Sequence, residues 1–156
     1  MYVDYLTSKY KKSIDDGWGA FEIGNLAKAE EHFRHILQHH ADPHMTHADL
    51  VEAHSGLGAI SINHKDFFEA NRWYKEAYHL LNEWYSKGWP THLSWRHPHD
   101  RAAMRTLIGL GHLAFHKGKK KESRDYYQRL LDADRKDELG VRTYVVALEN
   151  GEPFPA

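Results

Sequence analysis

Apolar residues along this chain recur at intervals of three and four, and strict alternation is scarce. That spacing predicts helices and no strand. Within 104–117, Leu107, Leu110, Gly111 and Ala114 form one stripe at i, i+3, i+4 and i+7, with Asp100 placed to cap that helix and Gly118 to end it. The next helix, from about Lys120 to Ala133, groups Tyr126, Tyr127, Leu130 and Leu131. Upstream, "THAD" at 46–49 matches a capping box, and its helix carries Leu57, Gly58 and Ser61 before ending near Asn63. Asp66 caps another, with Glu69 three residues on and a face of Phe67, Ala70, Trp73, Tyr74, Ala77, Tyr78 and Leu81. A first pair spans about Asp4 to Ile23 and Leu26 to roughly His40, turning at Gly24 and Asn25. A seventh helix near 136–149 presents Val141, Tyr144, Val145 and Leu148. The expected class is all-α.

The helices come in similar pairs. "GNLAKAEEHFRHIL", "HKDFFEANRWYKEA" and "GKKKESRDYYQRLL" share one pattern, in which Ala29, Ala70 and Ser123 occupy equivalent places and a bulky ring (Phe33, Tyr74, Tyr127) follows four residues later. Gly58 and Gly111 lie twelve residues before the small residue of their pair. Glycine facing a small side chain lets two backbones approach, and the ring then fills the neighbouring hollow. Each pair leaves one face uncovered and must stack on the next.

The spacing of glycine, small residue and aromatic resembles the tetratricopeptide repeat, a helix-turn-helix of about 34 residues. "GLGAISINHKDFFEANRWYKEA" carries the likeness best, then "GLGHLAFHKGKKKESRDYYQRLL", then "GWGAFEIGNLAKAEEHFRHIL". The resemblance implies one domain over 1–156: a right-handed α-α superhelix with repeats at about 10–40, 46–86 and 100–134, and a C-terminal capping helix at about 136–149. The copies depart from the standard unit. Their equivalent residues lie 41 and 53 apart, with the extra length in "HHADPHMTH" and "SKGWPTHLSWRHPHD", a period similar to the kinesin-light-chain type of repeat. Asp16 stands where a leucine is usual, and Pro43 and Pro90 arrive later than the closing proline of a standard copy. Tetratricopeptide domains that grip acidic chaperone tails use a clamp that needs asparagine where this chain has Trp18 and Gly56, so the likeness stops short of that function.

Composition narrows the classes. The 21 Lys and Arg balance the 22 Asp and Glu, which leaves no bulk field for nucleic acid or an anionic membrane. No apolar stretch is long enough to span a bilayer, and "MYVDYLTSKYKK" lacks the apolar block of a secretion signal, so the expected location is cytoplasmic. Without cysteine there is no disulfide and no thiolate chemistry. Carboxylates are scattered, and no nucleophile elbow or phosphate-cradling glycine loop occurs, so no catalytic residue is named and no enzyme or cofactor is expected.

The resemblance places the first helix of each pair along a concave groove, and each of these helices has a second stripe. Lys11, Ile14, Trp18, Phe21 and Glu22 come from the first, Glu52, Ser55, Ala59, Ile62 and Asn63 from the second, and Arg105, Ile108, His112, Phe115 and His116 from the third. An apolar floor with charge at its rim suits a peptide or protein partner, with Lys11 and Arg105 orienting it. The expectation is a non-catalytic adaptor. One alternative is a self-associating module that dimerises through the 141–148 stripe. The other is a histidine-based metal or pH sensor, since His112 and His116, and His35 and His39, are spaced four apart. These pairs lack a clear third ligand, and no metal site is assigned. Trp89 and Trp95 lie in a connector and are expected to fold back over a helix end. The "KGKKK" turn at 117–121 is expected to be solvated.

Overall fold

The structure, a computed structural model, describes residues 8–155. Among them are α1 (Lys11–Glu22), α2 (Leu26–Gln38), α3 (His47–Asn63), α4 (Phe67–Trp84), α5 (Pro98–His116), α6 (Lys120–Ala133) and α7 (Val141–Glu149), and no strand. Several boundaries follow the local chemistry read from the sequence. The Thr46 hydroxyl accepts from the Asp49 N–H while the Asp49 carboxylate accepts from the Thr46 N–H. Asp66 caps α4 and Asn25 caps α2 through side-chain oxygens. Gly118, at φ +73°, lies just beyond α5 in a left-handed conformation that costs glycine little.

Three boundaries differ. α1 begins at Lys11, after a turn at Lys9 and Tyr10, while Asp4–Thr7 lies outside the described residues. α5 begins at Pro98, because proline fits the first helical turn, where its missing N–H leaves no bond unmade. Asp100 therefore sits inside that turn and accepts from the Ser94 N–H instead of capping the helix. α7 begins at Val141, not 136. Asp134 and Asp137 draw 136–140 into turns by accepting from the N–H groups of Glu138, Val141 and Arg142, and Gly140 takes a left-handed conformation.

Each short turn folds a pair back on itself: α1 packs on α2, α3 on α4 and α5 on α6. Successive pairs meet through α2 on α3 and α4 on α5, α3 also lies against both α1 and α5, and α7 packs on α6. Flanked by four helices, α3 is buried nearly all round.

One register of glycine and ring recurs at these seams. Opposite edges of the Phe33 ring lie against Gly17 of α1 and Gly56 of α3, where an added Cβ would collide with it. Tyr74 is held the same way between Gly58 of α3 and Gly109 of α5. Tyr127 lies on Gly111 of α5 and also stacks on the Tyr144 ring of α7 at 5.7 Å. In each case the ring enters between the first helix of its own pair and the element that follows. Only a residue without a side chain lets helix and ring come this close. The Ser123 hydroxyl, on the small-residue position, donates to the Gly111 carbonyl across the same seam at 2.8 Å.

The long connector after α4 is tied down. Leu93 is buried, and its N–H donates to the Ala133 carbonyl at 3.0 Å. Trp89 lies against Tyr78 and Tyr85, donates to Asn82 at 2.7 Å, and has the Arg129 guanidinium 4.7 Å from its ring. Trp95 takes Arg101 and Arg105 on its face. Both tryptophans fold back, as their place in a polar connector suggested. Among the described residues, no helix is long and apolar enough to cross a membrane.

Candidate functional site: an apolar cavity across the first helices

A cavity of about 360 Å³ opens where α1, α3 and α5 run side by side. α1 contributes Trp18 and Phe21, α3 contributes Ala59, Ile62 and Asn63, and α5 contributes Arg105, Ile108, Gly109 and His112. The edge of Tyr74 forms part of its floor, and Tyr144, Phe154 and Pro155 close one end. Trp18 stands edge-on to both Phe21 and Phe33, so its ring is fixed by the same seam that joins the first two pairs.

The sequence-derived groove residues divide into two groups. Trp18, Phe21, Ala59, Ile62, Arg105, Ile108 and His112 line the cavity. Ile14 and Ser55 do not. Ile14 is fully buried in the core. Ser55 lies between α3 and α5, where its hydroxyl is 2.7 Å from that of Thr106, which in turn donates to the Ala102 carbonyl. At Ser55 the stripe is used in packing one first helix on the next. Lys11 stays outside the cavity and pairs with Asp15 one turn along at 2.6 Å. Phe115 and His116 stand beyond the lining, against Phe154 at 5.3 and 4.4 Å.

Arg105 lines the cavity with its charge already engaged. It donates to Glu52, and its guanidinium lies 4.5 Å from the Trp18 ring and 4.9 Å from the Trp95 ring. Burial pushes the Glu52 carboxyl above its ordinary pKa, while Arg105, Arg101 and the Trp18 indole pull it back down. Glu52 therefore serves the α3–α5 contact and is not a rim charge. Arg105 presents a flat, screened cation to the cavity.

His112 is set for neutrality. Burial, and secondarily His116, lowers its pKa to about 3. Its Nδ1 lies 2.7 Å from the Tyr127 hydroxyl, which burial keeps protonated, so the two neutral groups share one hydrogen bond. The His112 ring also meets Tyr144 at 4.4 Å and Phe154 at 4.8 Å. His116 lies on Phe67 at 5.5 Å, and its pKa is lowered by partial burial and then by Lys65. The other spaced pair is also in use locally, with His39 Nδ1 on the His35 carbonyl at 2.8 Å. Among the described residues, no group of three or more His, Asp or Glu is placed to hold a metal ion.

Sequence reasoning missed the tail residues Phe154 and Pro155, which follow the last stripe and belong to no periodic pattern. It read Gly58 and Gly111 as packing residues but not Gly56 and Gly109. A signal existed: "GLG" occurs in both α3 and α5, and the first glycine of each receives the ring of the preceding pair. No protein-family model matches the chain, and neither the curated proteins nor the solved structures searched contain a match.

Proposed function

We propose that the chain is a short tetratricopeptide-like solenoid, wound as a right-handed superhelix, that holds a peptide or protein partner without catalysing a reaction. The repeated glycine–ring register at 17/33, 58/74 and 111/127 supports the repeat reading, because three helix pairs use one packing device at one spacing. The observation that carries the functional reading is the cavity across α1, α3 and α5. Its walls are mostly aromatic and aliphatic, with Asn63, His112 and the screened Arg105 as polar points. Its volume is near the lower end of the range of about 300–1,000 Å³ found for ligand pockets, which suits one or two large side chains of a peptide.

The stripe on α7 favours a cap over a dimer contact. Val141, Ala147 and Leu148 are buried, and Tyr144 stacks on Tyr127.

The test is selection of binders from a random peptide display library, followed by titration of the winners against Phe21→Ser and Ile62→Ser, two half-buried lining positions. Binding at least tenfold weaker in both variants, with helicity unchanged, supports the reading. Winners whose affinity ignores both substitutions, or a library that yields none, contradict it.

A further inference from the structure

The end of the cavity at His112 is occupied by the chain's own tail. Gly151, at φ +66°, and the Glu152 N–H, which donates to the Ala147 carbonyl at 2.9 Å, turn the chain away from α7. Residues 152–155 then run without regular structure, and Pro153 and Pro155 restrict the backbone on either side of Phe154. The Phe154 ring enters a nest of four others. It stands edge-on to His112 at 4.8 Å and to Phe115 at 5.3 Å, and lies against His116 at 4.4 Å and Tyr144 at 5.2 Å. Edge-on and tilted ring contacts of this kind add to the gain from burial alone.

Two features describe what this seat accepts. It is built for a neutral ring, since burial keeps His112 uncharged and the Tyr127 hydroxyl satisfies its Nδ1. It also opens into the rest of the cavity, because Phe154 and Pro155 share one lining with Trp18, Phe21, Ala59 and Ile62. A longer chain placed in the seat would have an apolar path to follow along Ile108 and Ile62.

Resting on the groove reading above, we propose that the partner is an extended peptide carrying phenylalanine beside proline, and that Glu152–Pro155 holds the partner's seat in cis until that peptide displaces it. A tethered occupant competes at a high effective concentration, so the apparent affinity for a free peptide is reduced by the fraction of molecules whose seat is open.

The experiment is a fluorescence-anisotropy titration with a labelled synthetic peptide copying residues 149–156, and with the same peptide carrying alanine in place of its phenylalanine. Each is titrated into the full chain and into Phe154→Ala. The expected result is binding of the first peptide to Phe154→Ala at least tenfold tighter than to the parent chain, with no binding of the alanine peptide to either. Equal affinity for both chains overturns the proposal, as does failure to bind a Phe154→Ala chain of parental helicity. If that variant does not fold, NMR of the parent with excess peptide decides: loss of the nuclear Overhauser contacts between Phe154 and Tyr144 supports displacement, and their persistence overturns it. A concentration-dependent dimer of the parent that Phe154→Ala abolishes would give the seat to a second copy and also overturn it. Library-selected peptides that depend on Phe21 and Ile62, lack the phenylalanine–proline pair and ignore Phe154→Ala sink this proposal alone and leave the groove reading standing.

Discussion

Arg105 of α5 donates to the carboxylate of Glu52 on α3, and the pair is shut away: the Glu52 side chain is 1% exposed and that of Arg105 18%. It joins the second and third helix pairs, and its Arg105 also lines the cavity. Removing one partner leaves a buried charge without its counterion. Arg105→Ala is therefore expected to lower unfolding free energy by about 3–5 kcal/mol in urea titrations. The double variant Glu52→Leu, Arg105→Met should recover most of that loss, because two apolar groups leave no charge to desolvate. A double variant as unstable as Arg105→Ala would count against the pair as the cause.

The glycine–ring register makes a sharper claim about individual positions. At Gly56 and Gly109 a Cβ would meet the Phe33 and Tyr74 rings, whereas at Gly19 it meets nothing within 4 Å. Gly56→Ala and Gly109→Ala should each destabilise by about 1–3 kcal/mol through overpacking. Gly19→Ala, in the interior of α1, should stabilise by about 0.5–1 kcal/mol through backbone entropy. Thermal melts of the three variants check the opposite signs.

Acid should loosen the molecule through its buried imidazoles. His99 stacks on Trp84 at 4.2 Å and on His47 at 5.5 Å, meets the Tyr85 hydroxyl at 3.2 Å, and has its pKa lowered to about 4, first by burial and then by His47 and His97. His47 is lowered by burial too, against a backbone contact at Leu80 and the Glu83 charge, which raise it. A histidine whose folded pKa is depressed binds its proton preferentially in the unfolded chain. Stability is thus fully present above about pH 6.5, the unfolded value, and falls as pH drops toward the folded one. For His99 and His112 the loss should approach about 1.4 kcal/mol per pH unit each between roughly pH 6 and pH 4.5. Urea titrations at pH 7 and pH 5 check this, and His99→Gln should flatten the dependence. A stability independent of pH over that interval contradicts the assignment.

Much of the fold was legible because local chemistry and packing agree. Thr46, Asp66 and Asn25 cap the helices they precede in the sequence, and α6 runs from Lys120 to Ala133 as its stripe predicts. The groove was legible in part. Trp18, Phe21, Ile62 and Ile108 could be placed by helical spacing, but the same spacing put Ile14 and Ser55 on the stripe. Only the packing of whole helices on one another decides that those two are buried. Glu52 and Arg105 read as rim charges because a pairing across 53 residues leaves no local trace. The tail was invisible for a different reason. A ring between two prolines has no period, and its position follows from the left-handed turn at Gly151 and from a nest assembled by α5 and α7.

The claim on which the account rests is that a partner lies across α1, α3 and α5. The direct measurement is an NMR titration of isotope-labelled chain with a library-selected peptide, following the Trp18 indole N–H and the methyl groups of Ile62 and Ile108. The account predicts that these three signals shift together and saturably, while the methyls of Leu26 and Leu131 on α2 and α6 stay fixed. Shifts confined to α2, α4 and α6, with Trp18, Ile62 and Ile108 unmoved, would contradict it.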